Sequence, residues 1–188
     1  MSENHFYEEI IVAGFGGQGI ILAGKLLAQT AMEAGREVTY MPSYGAEVRG
    51  GTANCMVVIS DEPIGSPLVS KPDSLIIMNK ASLQKFLPRL KKGGLLIYNS
   101  SLVDQEDLEG MKTNGQVLAV PANKLAVELG NVKAANMVAI GAFLQKKGLF
   151  NPEAAAASLP KVLAERYHKT IPLNTKALQG GAEYAKKN

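Results

Sequence analysis

The sequence predicts an α/β fold, with a mostly parallel sheet flanked by helices and a helical C-terminal third. Three observations carry that prediction. Ile10–Val12 is a β-branched apolar run that enters a glycine turn and opens a helix-like stretch, Ile20–Glu33. Short apolar runs then alternate with helical or turn-rich segments as far as Pro121, as crossover units do. Beyond Pro121 the strand signals stop, and helix-like segments separated by Gly130, Gly148 and Pro172 continue to the end.

The elements follow in order. In the first helix Ile20, Ala23, Leu27 and Ala31 share one face, and Lys25, Gln29 and Glu33 share another. Gly24 falls on or beside the packed face, where a missing side chain lets the helix approach the sheet; Gly35 suits a C-cap. Val38–Met41 reads as a second strand stopped by Pro42, which makes the opening one β-α-β unit with parallel strands. Ser43–Gly51 is a loop by its glycines. Thr52–Ser60 resumes as a strand, with Cys55, Val57 and Ile59 alternating against Asn54, Met56 and Val58. Pro63, Gly65, Pro67 and Pro72 mark a connection. Leu75–Met78 is a strand, Ala81–Leu90 a short helix ending near Pro88, and Leu95–Tyr98 a strand after Gly93-Gly94. A polar, turn-rich stretch from Asp104 to Asn114 precedes the last strand, Val117–Val120. Lys124–Leu129, Ala135–Lys147, Pro152–Tyr167 and Asn174–Tyr184 read as helices, the third opened by Asn151 as N-cap and Pro152 at the first position. The 188 residues are enough for a proper core, and 1–188 reads as one domain.

Composition narrows the function classes. A formal net charge of +3 admits an anionic partner without demanding one. Without a Lys/Arg tract or basic–aromatic interleaving, no nucleic acid is expected. Cys55 is the only cysteine, which excludes an internal disulfide and a cysteine-ligated iron–sulfur cluster on this chain alone. His5 and His168 lack metal-ligand spacing, so no metal site is expected. Glu3, Glu8 and Glu9 interrupt any signal-peptide pattern, and no stretch reaches the roughly 20 apolar residues of a membrane span. A cytoplasmic location and no membrane partner are the expectation.

The glycine turn supplies Gly14, Gly16 and Gly19 in the spacing G-x-G-x-x-G, with Gly17 and Gln18 between. After a strand and before a helix, this is the phosphate-binding geometry of a Rossmann-like fold. A dinucleotide site also wants a carboxylate about 20 residues on. Thr39, Tyr40, Met41 and Pro42 stand there instead, and Arg36 is the only cation near enough in sequence to serve a 2′-phosphate. Three readings stay open: NAD(P), another phosphate-bearing ligand, or tight helix–sheet packing alone. Gly19, Gly24 and Lys25 also fit the start of a P-loop, but Leu26 replaces the magnesium-binding hydroxyl, and that reading is rejected.

The loop is more informative. Ser43, Tyr44, Gly45, Glu47, Arg49, Gly50 and Gly51 put an aromatic, a carboxylate and a guanidinium among glycines. Ligands bind beyond the carboxyl ends of parallel strands, where this loop leaves the second strand, and the planar fork of Arg49 suits phosphate or carboxylate. A Glu47–Arg49 pair exposed to water would do little, roughly 0–1 kcal/mol. Ser100 and Ser101 lack the glycines of a nucleophile elbow and suit capping of the Asp104 helix. His168 is expected on the solvent side near a helix end, and Cys55 in the core. No acid/base pair or triad stands out, so the chain is not expected to be catalytic alone.

Together the runs Gly14-Phe-Gly-Gly-Gln-Gly-Ile, Pro42-Ser-Tyr-Gly-Ala-Glu-Val-Arg-Gly-Gly-Thr-Ala-Asn and Val58-Ile-Ser-Asp resemble the gamma subunit of 2-oxoacid:ferredoxin oxidoreductases. Pro72-Asp73, Leu75–Asn79, Gly93-Gly94 with its strand and Asn99, Asn136–Gly141 and Asn174–Ala182 extend the resemblance over nearly the whole chain. It implies a subunit of a multi-subunit enzyme that oxidatively decarboxylates a 2-oxoacid with coenzyme A, giving acyl-CoA, carbon dioxide and reduced ferredoxin. Thiamine diphosphate would sit between alpha and beta subunits, iron–sulfur clusters on a delta-type, ferredoxin-like subunit or another cysteine-bearing chain, and magnesium on or shared with other subunits. Ferredoxin itself would be an indirect partner. Gly16, Gly17, Gln18 and the Ser43–Gly51 loop would face partner subunits or coenzyme A. The loop variant resembles 2-oxoglutarate or branched-chain enzymes more than pyruvate enzymes. Ala46 stands where proline is commoner, leaving the loop less rigid. A face meant for partners is apolar when alone, which leaves a homodimer of the isolated chain open. A stand-alone NAD(P)- or flavin-binding oxidoreductase and a purely structural subunit are the alternatives.

Overall fold

The computed structural model describes residues 5–45, 52–110 and 115–188. Strand β1 (Tyr7–Phe15) enters the glycine turn and helix α1 (Ile20–Glu33), followed by β2 (Glu37–Tyr44) and β3 (Thr52–Ser60). Next come β4 (Ser74–Ile77), α2 (Lys80–Phe86), β5 (Leu95–Asn99) and β6 (Gln116–Val120). Helices α3 (Ala122–Glu128), α4 (Ala135–Lys147), α5 (Pro152–Val162) and α6 (Ile171–Lys187) complete the chain, so the helical C-terminal third is as expected.

The strands lie in the order β2-β3-β1-β4-β5-β6. β1, β4, β5 and β6 pair in parallel, whereas β3 is antiparallel to both β1 and β2. The opening is therefore not a simple β-α-β unit: β2 runs in the same direction as β1, but β3 lies between them. Burial explains the exchange. β3 is apolar on both faces and buried from Ala53 to Cys55 and from Val57 to Ser60, which suits the sheet interior. β2 is half-buried or exposed throughout and takes the edge. That edge position also corrects the expected stop at Pro42. A missing N–H is tolerated on the outer side of an edge strand, and β2 runs two residues past Pro42 to Tyr44.

Alternation along β1 divides the interior between two cores. Ile10 and Val12 join α1, α4 and the C-terminal helices on one face, while Ile11 and Ala13 join Leu83, Phe86, Leu96 and Tyr98 on the other. Gly24 lets α1 lie on β3, since a Cβ there would reach to 2.9 Å of the Cys55 Cβ. On the same face α4 is buried at ten successive positions, Ala135–Leu144. It packs against α6 backbone to backbone: a Cβ on Gly141 would overlap the Leu178 carbonyl oxygen, and one on Gly181 the Val138 carbonyl oxygen.

The remaining differences are local. The helix expected over Pro152–Tyr167 ends at Val162, and Glu165–Thr170 forms a separate 3-10 turn. Half-buried His168 sits against that helix end, its Nε2 3.0 Å from the Leu163 carbonyl and 3.2 Å from that of Pro160. Pro172 lies in the first turn of α6 instead of separating helices, as proline can at a helix start. Asp104 caps its own turn with Asp107, whereas the Ser101 hydroxyl accepts from the Lys124 N–H (3.3 Å) in the first turn of α3. Asn151 caps α5 as expected, its Oδ1 accepting from the Ala154 N–H at 2.8 Å.

Candidate functional site

α1 leaves β1 toward one face of the sheet and α2 leaves β4 toward the other. The gap beyond the carboxyl ends of these two adjacent strands is the topological switch point, where open α/β sheets bind ligands. The glycine turn lies there. Gly17 and Gly19 hold φ values of 95° and 72°, the left-handed region glycine favours. Gly14 leaves no room for a side chain, since a Cβ would come within 2.9 Å of the Met78 Cβ. Gly17 faces open space. Gly19 precedes α1 and offers no capping side chain, so the first-turn N–H groups of that helix have no side-chain acceptor from the cap.

Gln18 serves the fold. Its Oε1 accepts from the Phe15 N–H (2.6 Å) and its Nε2 donates to the Met78 carbonyl (3.1 Å), tying the end of β1 to the end of β4. What remains of the switch point is a crevice of about 150 Å³ lined by Gly17, Gln18, Met78, Asn123, Val132, Lys133 and Ala135. Beside it, over the first turn of α1, a cleft of about 400 Å³ shares Gly17 and Lys133 and adds Leu22, Tyr167, Leu173 and Asn174. Lys133 is thus the cation at the junction of the two. Asn123, which also lines the crevice, is held by Asn99, whose Nδ2 donates to Asn123 Oδ1 (2.9 Å) and whose Oδ1 accepts from the Ala122 N–H (3.1 Å).

The loop leaves the sheet on this same edge. Tyr44 and Gly14 both register with Ala53, so Tyr44 stands two strand spacings, roughly 10 Å, from the glycine turn. Ser43 pairs with Asn54, and Gly45 donates its N–H to the Thr52 carbonyl (2.7 Å). Tyr44 is 70% exposed. Glu47, Arg49, Gly50 and Gly51 lie outside the described residues. The fold therefore brings the glycine turn and the described ends of the loop to one sheet edge. Sequence reasoning missed Lys133 and Asn123, because a single lysine or asparagine in a helical region carries no pattern.

Arg36 does not serve this edge. It pairs with Asp61 and lies 5.1 Å over the Phe6 ring, at the other end of β1. The strand beside β1 on that side is antiparallel β3, which begins at Thr52 and so brings no ribose carboxylate from its described residues. Cys55 is fully buried, and that burial pushes its thiol up to about 12, far from a reactive thiolate or a ready metal ligand.

Residues 9–184 match the family described as Pyruvate ferredoxin/flavodoxin oxidoreductase. The chain belongs to this family. The subunit KorC of 2-oxoglutarate synthase from Methanothermobacter marburgensis is 37% identical over 180 residues, covering 94% of this chain and 95% of KorC. The ketoisovalerate oxidoreductase subunit VorA of the same organism is also 37% identical, over 177 residues. There the chain spans only 36% of the relative's length. Among solved structures, the gamma subunit of a keto/oxoacid ferredoxin oxidoreductase from Geobacter sulfurreducens PCA superimposes with a TM-score of 0.80 at 33% identity. It covers 96% of this chain and 99% of its own. Family members therefore carry this unit both as a separate chain and within a longer one.

Proposed function

We propose that the chain is the gamma subunit of a multi-subunit 2-oxoacid:ferredoxin oxidoreductase and acts on the coenzyme A side of the reaction. The observation that carries this reading is the end-to-end match to KorC, a subunit of 2-oxoglutarate synthase, over 95% of that chain. It also favours 2-oxoglutarate over a branched-chain 2-oxoacid, since VorA, at the same 37% identity, is a longer polypeptide of which the chain spans only 36%. Thiamine diphosphate, magnesium and iron–sulfur clusters are assigned to alpha, beta and delta-type partners in the cytoplasm. Cys55, buried and hard to ionise, does not suit a cluster.

This chain's own residues would bind and orient. The coenzyme carries phosphates, and the open start of α1, Gly17 and Lys133 are donors and a cation on one sheet edge. Arg49 would grip a phosphate through its planar fork. The partners' cofactors would supply the chemistry of oxidation and decarboxylation, while this chain would help to enclose coenzyme A.

Reconstitution with the thiamine-binding subunits tests the reading. Arg49→Ala is expected to raise the KM for coenzyme A about tenfold, as loss of one charged contact does, or to prevent assembly. An unchanged KM in an intact complex would assign Arg49 to the fold alone. A purely structural subunit is the second reading, favoured by Gln18, whose amide is satisfied inside the chain. Tight association with the partners combined with indifference to coenzyme A would establish it.

A further inference from the structure

A long-range contact decides how the glycine turn is held. Asn136, in the first turn of α4 and only 4% exposed, donates from Nδ2 to the Gly19 carbonyl at 3.0 Å across 117 positions of sequence. Its Oδ1 accepts from the Met137 N–H (3.0 Å), so the amide is oriented with its donor end toward the turn. The Gly19 carbonyl also accepts the first helical bond of α1, from the Ala23 N–H at 2.9 Å. Both of its lone pairs are engaged, and the peptide plane between Gly19 and Ile20 is set. Glycine is required there twice over, by its φ of 72° and because a Cβ would overlap Asn136 Nδ2. Asn136 itself cannot drift, since α4 is locked to α6 through Gly141 and Gly181.

We infer that Asn136 is a positioning residue. It holds the glycine turn so that the first turn of α1 borders the cleft beside Lys133, and the C-terminal helices thereby set the geometry of a site formed at the N-terminal end of the chain. The inference rests on the coenzyme reading for the ligand, but the positioning is readable without it. Two measurements separate them: deuterium uptake of residues 15–23 in the isolated chain, and the KM and kcat of the reconstituted complex with coenzyme A.

Asn136→Asp keeps the shape and removes the donor, and Asn136→Leu does the same without a buried charge. Val138→Ala, a neighbouring core truncation on α4, is the control for simple loss of stability. The Asn136 variants are expected to speed uptake at the turn about tenfold and to raise the KM about tenfold with kcat unchanged, the ratio one hydrogen bond is worth. Val138→Ala is expected to lower the melting temperature and leave uptake at the turn and KM alone. Unchanged uptake at the turn in the Asn136 variants, or an equal change in Val138→Ala, overturns the inference. Faster uptake with an unchanged KM upholds the positioning and removes coenzyme A as the ligand of the turn.

Discussion

At the scale of single residues, close packing assigns the glycines different duties. Gly17 is open and shaped by its backbone angle, whereas Gly24 exists to admit Cys55. A methyl group on Gly24 must push either the thiol or α1 away from β3. Gly24→Ala is therefore expected to cost about 1–3 kcal/mol, as overpacking of a tight core does. Cys55→Ala in the same chain should return part of that loss, because the two sites share one volume. Urea denaturation of both single variants and the double variant measures the coupling; strict additivity would mean that the two side chains do not compete. The Gly24 contact was legible in the sequence as a small residue on a packed face. Its partner was not, since only the pairing of β3 beside β1 brings Cys55 under α1.

Between elements, the helices on one face of the sheet are joined to one another by two different kinds of contact. α4 and α6 meet backbone to backbone at Gly141 and Gly181, where no flexible side chain can yield. Gly141→Ala is expected to destabilise by about 3 kcal/mol or more, read from chemical denaturation, because the Leu178 carbonyl must move. α1 and α5 meet through charge. Glu33 accepts from Ser158 (2.9 Å) and pairs with Lys161 (2.8 Å), and Gln29 donates to it at 2.9 Å. Lys161, then Gln29 and Ser158, hold its carboxyl down at about 2, against an ordinary value of 4.5. A lowered value means that its contribution is complete above pH 4.5 and disappears as the pH falls through about 2. Glu33→Gln should melt below the wild type at pH 6, with the gap closing toward pH 2. A gap that stays constant over that range would show that the charge does not join the helices.

For the molecule as a whole, the switch point decides which ligands fit. Gln18 bridges β1 and β4 and leaves a crevice of about 150 Å³ that adjoins the cleft of about 400 Å³ over the first turn of α1. A dinucleotide laid across that point meets no ribose carboxylate from the described residues of β3, the strand beside β1. In a thermal-shift scan NADH, NADPH and FAD are expected to leave the melting temperature unchanged, and coenzyme A at 100 times its dissociation constant to raise stability by about 2.7 kcal/mol. A shift with NADH would mean that the switch point takes a dinucleotide without that carboxylate. Among the described residues no helix is long and apolar enough to cross a membrane.

The Ile10–Gly19 strand and turn, the Thr52–Ser60 strand, the start of α5 at Asn151 and the extent of α4 were all determined by the sequence itself. Periodicity, glycine spacing and capping chemistry are local, and local signals survive without knowledge of neighbours. The loop that begins at Ser43 likewise announced its family through residue types packed into a short stretch. What only the tertiary structure decided is the company each element keeps. β3 slips between β1 and β2 because it alone of that pair can be buried on both faces. Arg36 is taken by Asp61 at the far end of the sheet. Lys133 meets the glycine turn, and Asn136 fixes it, because α4 is pressed onto the sheet by α6. Those contacts join residues as many as 117 positions apart, and burial and backbone approach in three dimensions, not any pattern along the chain, select them.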